Sequence, residues 1–124
     1  MLRSATRTEN DYECPIRQIF GRLGGRWTLE VILMLGNGSR HFADLERRIA
    51  GVSRRMLTVT LRALERDGLV QRTPASRAGG PVVYALTPLG LSLDEQLLAL
   101  TAWSRMRRDE IFAAREAFDH RLAR

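Results

Sequence analysis

A chain of 124 residues, 44% hydrophobic and 27% charged, is one domain's worth; it buries roughly 65 to 70% of the surface its unfolded form exposes, and its composition is neither disordered nor membrane-like. The formal net charge of +6 favours a polyanionic partner, and it is unevenly spread, since eight arginines stand against four acids between Arg40 and Arg72. The single cysteine, Cys14, excludes an intramolecular disulfide and a Cys/His zinc cluster, so neither a metal nor any other cofactor is expected.

Residues 1–11 are polar and aperiodic and read as a flexible arm, without the apolar core of a signal peptide. No apolar run approaches the ~20 residues that span a bilayer, which predicts a cytoplasmic protein with no membrane partner. Residues 12–124 then form one domain. In "CPIRQIFGRLGGRW" a proline just inside a helix start precedes Ile16, Ile19, Phe20 and Leu23, an amphipathic first helix stopped by Gly24 and Gly25. "WTLEVILMLGNG" is apolar on nearly all sides apart from Glu30 and predicts a buried central helix. Arg40 and His41 precede a short third helix, "FADLERRIAG", with Phe42, Leu45 and Ile49 on its inner face. Arg40 is placed to meet a nucleic-acid backbone, and His41 to serve the helix start.

The next helix, about residues 53–66, carries two opposed faces. At about 100° per residue, Leu57, Leu61 and Leu64 share one side, while Arg55, Val59, Arg62 and Arg66 share the other. Ser53 is the N-cap candidate. After Gly68 the period becomes strand-like: "LVQRT" and "VVYALT" flank the glycine-rich "PASRAGGP", a hairpin over about residues 69–87 with Arg72 at its base and Arg77 at its tip. Thr87 and Pro88 open a fifth helix, in which Leu89, Leu93, Leu97 and Leu100 make one apolar face and Leu91, Leu98 and Ala102 another. A last helix carries Ile111, Ala114, Phe118 and Leu122. Since one small domain covers only one face of a terminal helix, residues 88–122 are the candidate homodimer interface.

Two helices on a short turn followed by a hairpin with an arginine-bearing tip is the order of a winged helix-turn-helix, mostly α with a small β-wing. The leucine face packs inward, leaving the arginine face to enter a major groove about 12 Å wide. Ser53, Arg54, Arg55 and Thr58 lie in the N-terminal turns, where base edges are reached; Arg62 is placed for phosphate. Arg72 and Arg77 are placed for phosphate or the adjacent minor groove. An exposed valine flanked by arginines gains nothing in water, whereas in a groove Val59 meets a thymine methyl; the other reading is an ordinary surface residue. The absence of lysine fits a coding bias and carries no functional reading. Catalysis is not expected, for there is no Gly-x-Ser-x-Gly, Walker or dinucleotide motif. The rival class is a basic winged-helix module that binds protein or RNA without specific duplex DNA binding.

"CPIRQIFGRLGGRWTLEVILML", "RHFADLERRIAGVSRRMLTVTLRALERDGLVQRT" and "YALTPLG", with a tryptophan some way beyond, resemble the HxlR-type winged helix-turn-helix regulators of bacteria over about residues 12 to 121. The resemblance implies a homodimeric transcriptional regulator acting on an operator with two half-sites in the bacterial nucleoid. The dimer would be made by the terminal helices. Ser53, Arg54, Arg55, Thr58 and Arg62 match the family's recognition helix and the hairpin its wing. Two positions depart from the pattern: Arg26 replaces the lysine of "GGKW", and Val59 stands where polar residues are frequent. A cysteine is frequent where Cys14 stands, and some members use it to sense electrophiles or oxidants. Independently, a thiol at a helix start near Arg17 is expected to ionise more readily. Two readings of Cys14 therefore stand side by side, a sensor for a small-molecule or oxidant effector and a packing residue in the dimer interface.

Overall fold

The computed structural model describes residues 15–21, 25–74 and 80–124. Its elements in chain order are α1 (Pro15–Phe20), α2 (Gly25–Leu35), β1 (Arg40–His41), α3 (Phe42–Arg48), α4 (Arg54–Arg66), β2 (Val70–Thr73), β3 (Val83–Leu86), α5 (Pro88–Met106) and α6 (Arg108–Leu122). The predicted helices and both hairpin strands are present. Residues 1–11, expected to be a flexible arm, and Cys14, Leu23, Gly24 and Arg77 lie outside the described residues.

The core is one apolar cluster joining Val31, Ile32 and Leu35 of α2, Leu45 and Ile49 around α3, Leu57, Leu61 and Leu64 of α4, Leu69 and Val70 at the start of the wing, and Leu97 of α5. The leucine face of α4 is therefore buried as its periodicity predicts. The central helix is less enclosed than its composition suggests: Leu29 is exposed, and Leu33 and Met34 are half-buried. Helix α2 packs against α1, α4, α5 and β3, and Leu29 is the apolar residue of α2 left exposed. Gly25, expected to end the first helix, is instead the first residue of α2.

Chain turns set the angles between these elements. Ser53 caps α4, its Oγ accepting from the Met56 N–H at 3.0 Å. At the other end Gly68 has φ +77°, a conformation that costs a side-chain-bearing residue energy. Its N–H donates to the Glu65 carbonyl at 3.0 Å and the Leu69 N–H to the Leu64 carbonyl at 2.9 Å. That is a Schellman motif with both Leu64 and Leu69 buried, and it turns the chain from the helix into β2.

The sheet has a third strand that the sequence did not reveal. Its order is β1-β3-β2, all antiparallel, with Arg40 opposite Tyr84 and His41 opposite Val83 on one side, and Val70 opposite Leu86 and Arg72 opposite Tyr84 on the other. Arg40 and His41 thus cover an edge of β3 that would otherwise leave backbone groups unpaired. Two residues are too few to show a strand period.

Gly90 explains how α5 is seated. The Thr87 hydroxyl donates to the Gly68 carbonyl at 2.6 Å and accepts from the Gly90 N–H at 3.0 Å. A Cβ on Gly90 would overlap the Leu69 carbonyl oxygen. This close approach sets the rotation of the helix, so that its buried line runs Gly90, Asp94, Leu97. Of the predicted face Leu89, Leu93, Leu97 and Leu100, only Leu93 and Leu97 turn inward, while Leu89 and Leu100 are exposed. Helix α6 buries none of its residues. Among the described residues no helix is long and apolar enough to cross a membrane.

Candidate nucleic-acid interface

The chain's central arginines lie on β1 (Arg40), α3 (Arg47, Arg48), α4 (Arg54, Arg55, Arg62, Arg66) and β2 (Arg72). What separates these arginines is whether a carboxylate already holds them. Asp44 in α3 binds three: Arg40 at 2.7 Å, Arg47 at 2.6 Å and Arg48 at 3.0 Å. The hydrogen bonds from Arg40 and then Arg48, with a lesser one from Arg47, hold its carboxyl well below the usual carboxylate range against the opposing effect of burial. Arg40 is half-buried, and its Nε is enclosed without a hydrogen-bond partner among the described residues. This placement ties Arg40 to the α3 surface.

Arg54 is also drawn back. Its guanidinium reaches Glu46 at 3.5 Å and lies over the Phe42 ring, 5.1 Å from the centroid. Thr58 donates its hydroxyl proton to the Arg54 carbonyl at 2.9 Å, leaving its oxygen only to accept. Arg55, Arg62, Arg66 and Arg72 differ from these. All four are exposed, and among the described residues none has an ion pair or an aromatic partner. Three of them sit on the α4 stripe with Val59, which is 45% exposed. The structure therefore brings Arg55, Val59, Arg62 and Arg72 together with the capping Ser53 and Thr58, and holds Arg40 and Arg54 beside them against α3.

Between α4 and the sheet lies a cleft of about 460 Å³ lined by Thr58, Leu61, Arg62, Glu65, Arg72 and Tyr84. Glu65 and Tyr84 were not among the residues singled out from sequence. Tyr84 sits in a strand whose alternation reads as packing, and nothing in that pattern marks its ring as the wall of a cleft. Among the described residues there is no group of three or more His, Cys, Asp or Glu side chains that could hold a metal ion.

A capped helix presenting unpaired cations beside a three-stranded wing is the architecture of a winged helix-turn-helix reader. The family model for the HxlR-like helix-turn-helix matches residues 22–112. The chain belongs to this family. It is 36% identical over 104 residues to the HTH-type transcriptional regulator YtfH of Escherichia coli (strain K12), covering 84% of this chain and 82% of that one. It is 32% identical over 116 residues to the HTH-type regulator YdeP of Bacillus subtilis (strain 168), covering 90% and 91%. Among solved structures, the putative transcriptional regulator YtfH from Salmonella typhimurium superposes with a TM-score of 0.73 at 34% identity, over 85% of this chain and 94% of that one. The redox regulator HypR in its reduced form gives 0.70 at 28% identity, over 79% and 94%. The family and these relatives are transcriptional regulators and not enzymes, and the chain is a member of that family.

Proposed function

We propose that the protein is a homodimeric, sequence-specific regulator that reads duplex DNA with α4 in the major groove and the wing on the flanking backbone or minor groove. The observation that carries this reading is the set of unpaired arginines. Asp44 alone neutralises three guanidinium groups, whereas among the described residues Arg55, Arg62, Arg66 and Arg72 have no carboxylate partner. Arg55, on the first turn of α4, is the base reader, and Ser53, Arg54 and Thr58 flank it. Arg62 and Arg72 serve phosphate and Val59 a thymine methyl; Arg77 is a further backbone contact, and Arg40 is one only if it leaves Asp44.

Dimerisation is supported by surface that one chain does not cover. Leu98, Leu100, Trp103 and Met106 of α5 and Phe112, Phe118 and Leu122 of α6 are all exposed, Met106 by 83%. So much aromatic and aliphatic surface on two successive helices is characteristic of a buried interface. Cys14 adjoins α1 in sequence, and its proposed role is response to an oxidant or electrophile.

A gel shift against the DNA upstream of the protein's own gene tests the reading. A discrete complex that survives excess random competitor is expected. Binding that random duplex removes completely, or that single-stranded RNA or a protein partner outcompetes, would favour an interaction module without specific DNA recognition.

A further inference from the structure

We propose that the cleft between α4 and the wing is a seat for a single backbone phosphodiester, gripped from its two walls by Arg62 and Arg72, with the Tyr84 hydroxyl as a neutral donor and Glu65 limiting the grip. This rests on the DNA-binding reading above and adds to it how one contact is built.

The two arginines come from different elements, Arg62 from α4 and Arg72 from β2, yet line one cleft. Arg72 and Tyr84 are directly opposed in the β2–β3 register, so they project from the same side of the sheet. It is also the side of the Val70 and Leu86 pair, two residues along each strand, where Val70 is part of the core. The row Arg72–Tyr84 therefore stands at the outer rim of the core face, looking toward α4. Leu61, 1% exposed, closes the floor. The cleft thus has an apolar base, two cationic walls and one phenol.

Its one acid, Glu65, pairs with neither arginine. Two guanidinium forks that leave a neighbouring carboxylate unused remain available to an incoming anion. A phosphodiester has two non-bridging oxygens, one for each fork. Thr58 cannot compete as a donor, because its proton is given to the Arg54 carbonyl. The cleft also adjoins the stripe carrying Arg55 and Val59, so a duplex lying against that stripe passes its backbone over the opening. Glu65 then opposes the phosphate charge and weakens binding that is not reinforced by base contacts.

The test is a salt titration of a fluorescein-labelled random-sequence duplex against wild type and five variants, each checked for an unchanged melting temperature. Counterion release counts phosphates, not arginines, at about 0.9 in the slope of log K against log salt for each phosphate neutralised. If both arginines serve one phosphate, Arg62→Ala and Arg72→Ala each keep most of the slope, and the double variant loses about 0.9 per subunit. Tyr84→Phe should bind roughly two- to tenfold more weakly at an unchanged slope, as expected of a neutral hydrogen bond. Glu65→Gln should bind more tightly. Single variants that each lose the full slope, with the double losing twice as much, would assign the arginines to separate phosphates and overturn the seat while leaving DNA binding intact. So would a Tyr84→Phe variant that matches wild type, or a Glu65→Gln variant that binds more weakly. A wild type that binds no DNA would remove the DNA reading and the seat with it.

Discussion

Asp94 and Gly36 make the joint between α5 and the end of α2, and their geometry predicts a measurable coupling. Asp94 is 7% exposed, and its Oδ1 has no hydrogen-bond partner among the described residues. A Cβ built on Gly36 would lie 2.5 Å from Oδ2 and 2.7 Å from both Cγ and Oδ1. Gly36→Ala should therefore destabilise the fold by about 1 to 3 kcal/mol, the usual cost of overpacking, because a short buried side chain has little room to retreat. Asp94→Ala removes all three atoms in the way, and with them a buried oxygen whose desolvation costs about 1 to 3 kcal/mol when it lacks a partner. In the Asp94→Ala background Gly36→Ala should cost little, so the double-mutant cycle gives a coupling of about 1 to 3 kcal/mol. Urea unfolding followed by circular dichroism, at one fixed protomer concentration because the protein is proposed to be a dimer, measures all four corners. If the two single costs simply add, Asp94 does not occupy the space above Gly36, and α5 packs in another way.

Four further outcomes follow from the interface. Replacing operator thymines one at a time by uracil should weaken wild-type binding at one position per half-site by something near the ~0.8 kcal/mol of a buried methyl, and Val59→Ala should erase most of that difference; equal affinity at every position would make Val59 an ordinary surface residue. The full-length chain should sediment as a dimer, and truncation after Thr87, which also removes the core residue Leu97, should leave an aggregate or a monomer without specific binding; a full-length monomer at micromolar concentration would contradict this. Mild oxidant should change operator affinity in the wild type and leave Cys14→Ser indifferent, whereas a Cys14 thiol titrating at ~8.5 or above in an iodoacetamide assay would reduce it to packing. Because Asp44 is held below its ordinary pKa in the folded state, its contribution is present above about pH 4 and is lost progressively as the pH falls toward the folded value; the gap between melting curves of wild type and Asp44→Asn should narrow steadily as the pH is lowered from about 4, and a constant gap would show that the arginines do not act through the Asp44 charge.

How much of this was legible in the sequence depends on the range of the interactions involved. Caps and periodicities are local, and Ser53, Thr87, Pro88 and the leucines of α4 announced their roles in a few neighbouring residues. The rotation of α5 was not local. It follows from the contact of Gly90 with the Leu69 carbonyl, twenty-one positions earlier, which moved Leu89 and Leu100 outward and carried Asp94 in. The strand β1 was hidden because only its pairing with β3 makes it a strand. At the proposed interface, the sequence assigned roles to Arg40, Arg54 and Arg62 by position along the chain and did not show which of them a carboxylate holds. The distinction between them is made by Asp44 and Glu46, whose reach depends on how α3 lies beside α4.

The most direct measurement of the central claim is a hydroxyl-radical footprint of the full-length protein on the DNA flanking its own gene. Two linked recognition helices predict two protected segments related by two-fold symmetry, their centres one helical turn of about 34 to 36 Å, or a whole multiple of it, apart. Arg55→Ala should lift protection in both segments together. A single protected segment, or uniform protection without a boundary, would contradict a dimer that reads specific duplex DNA.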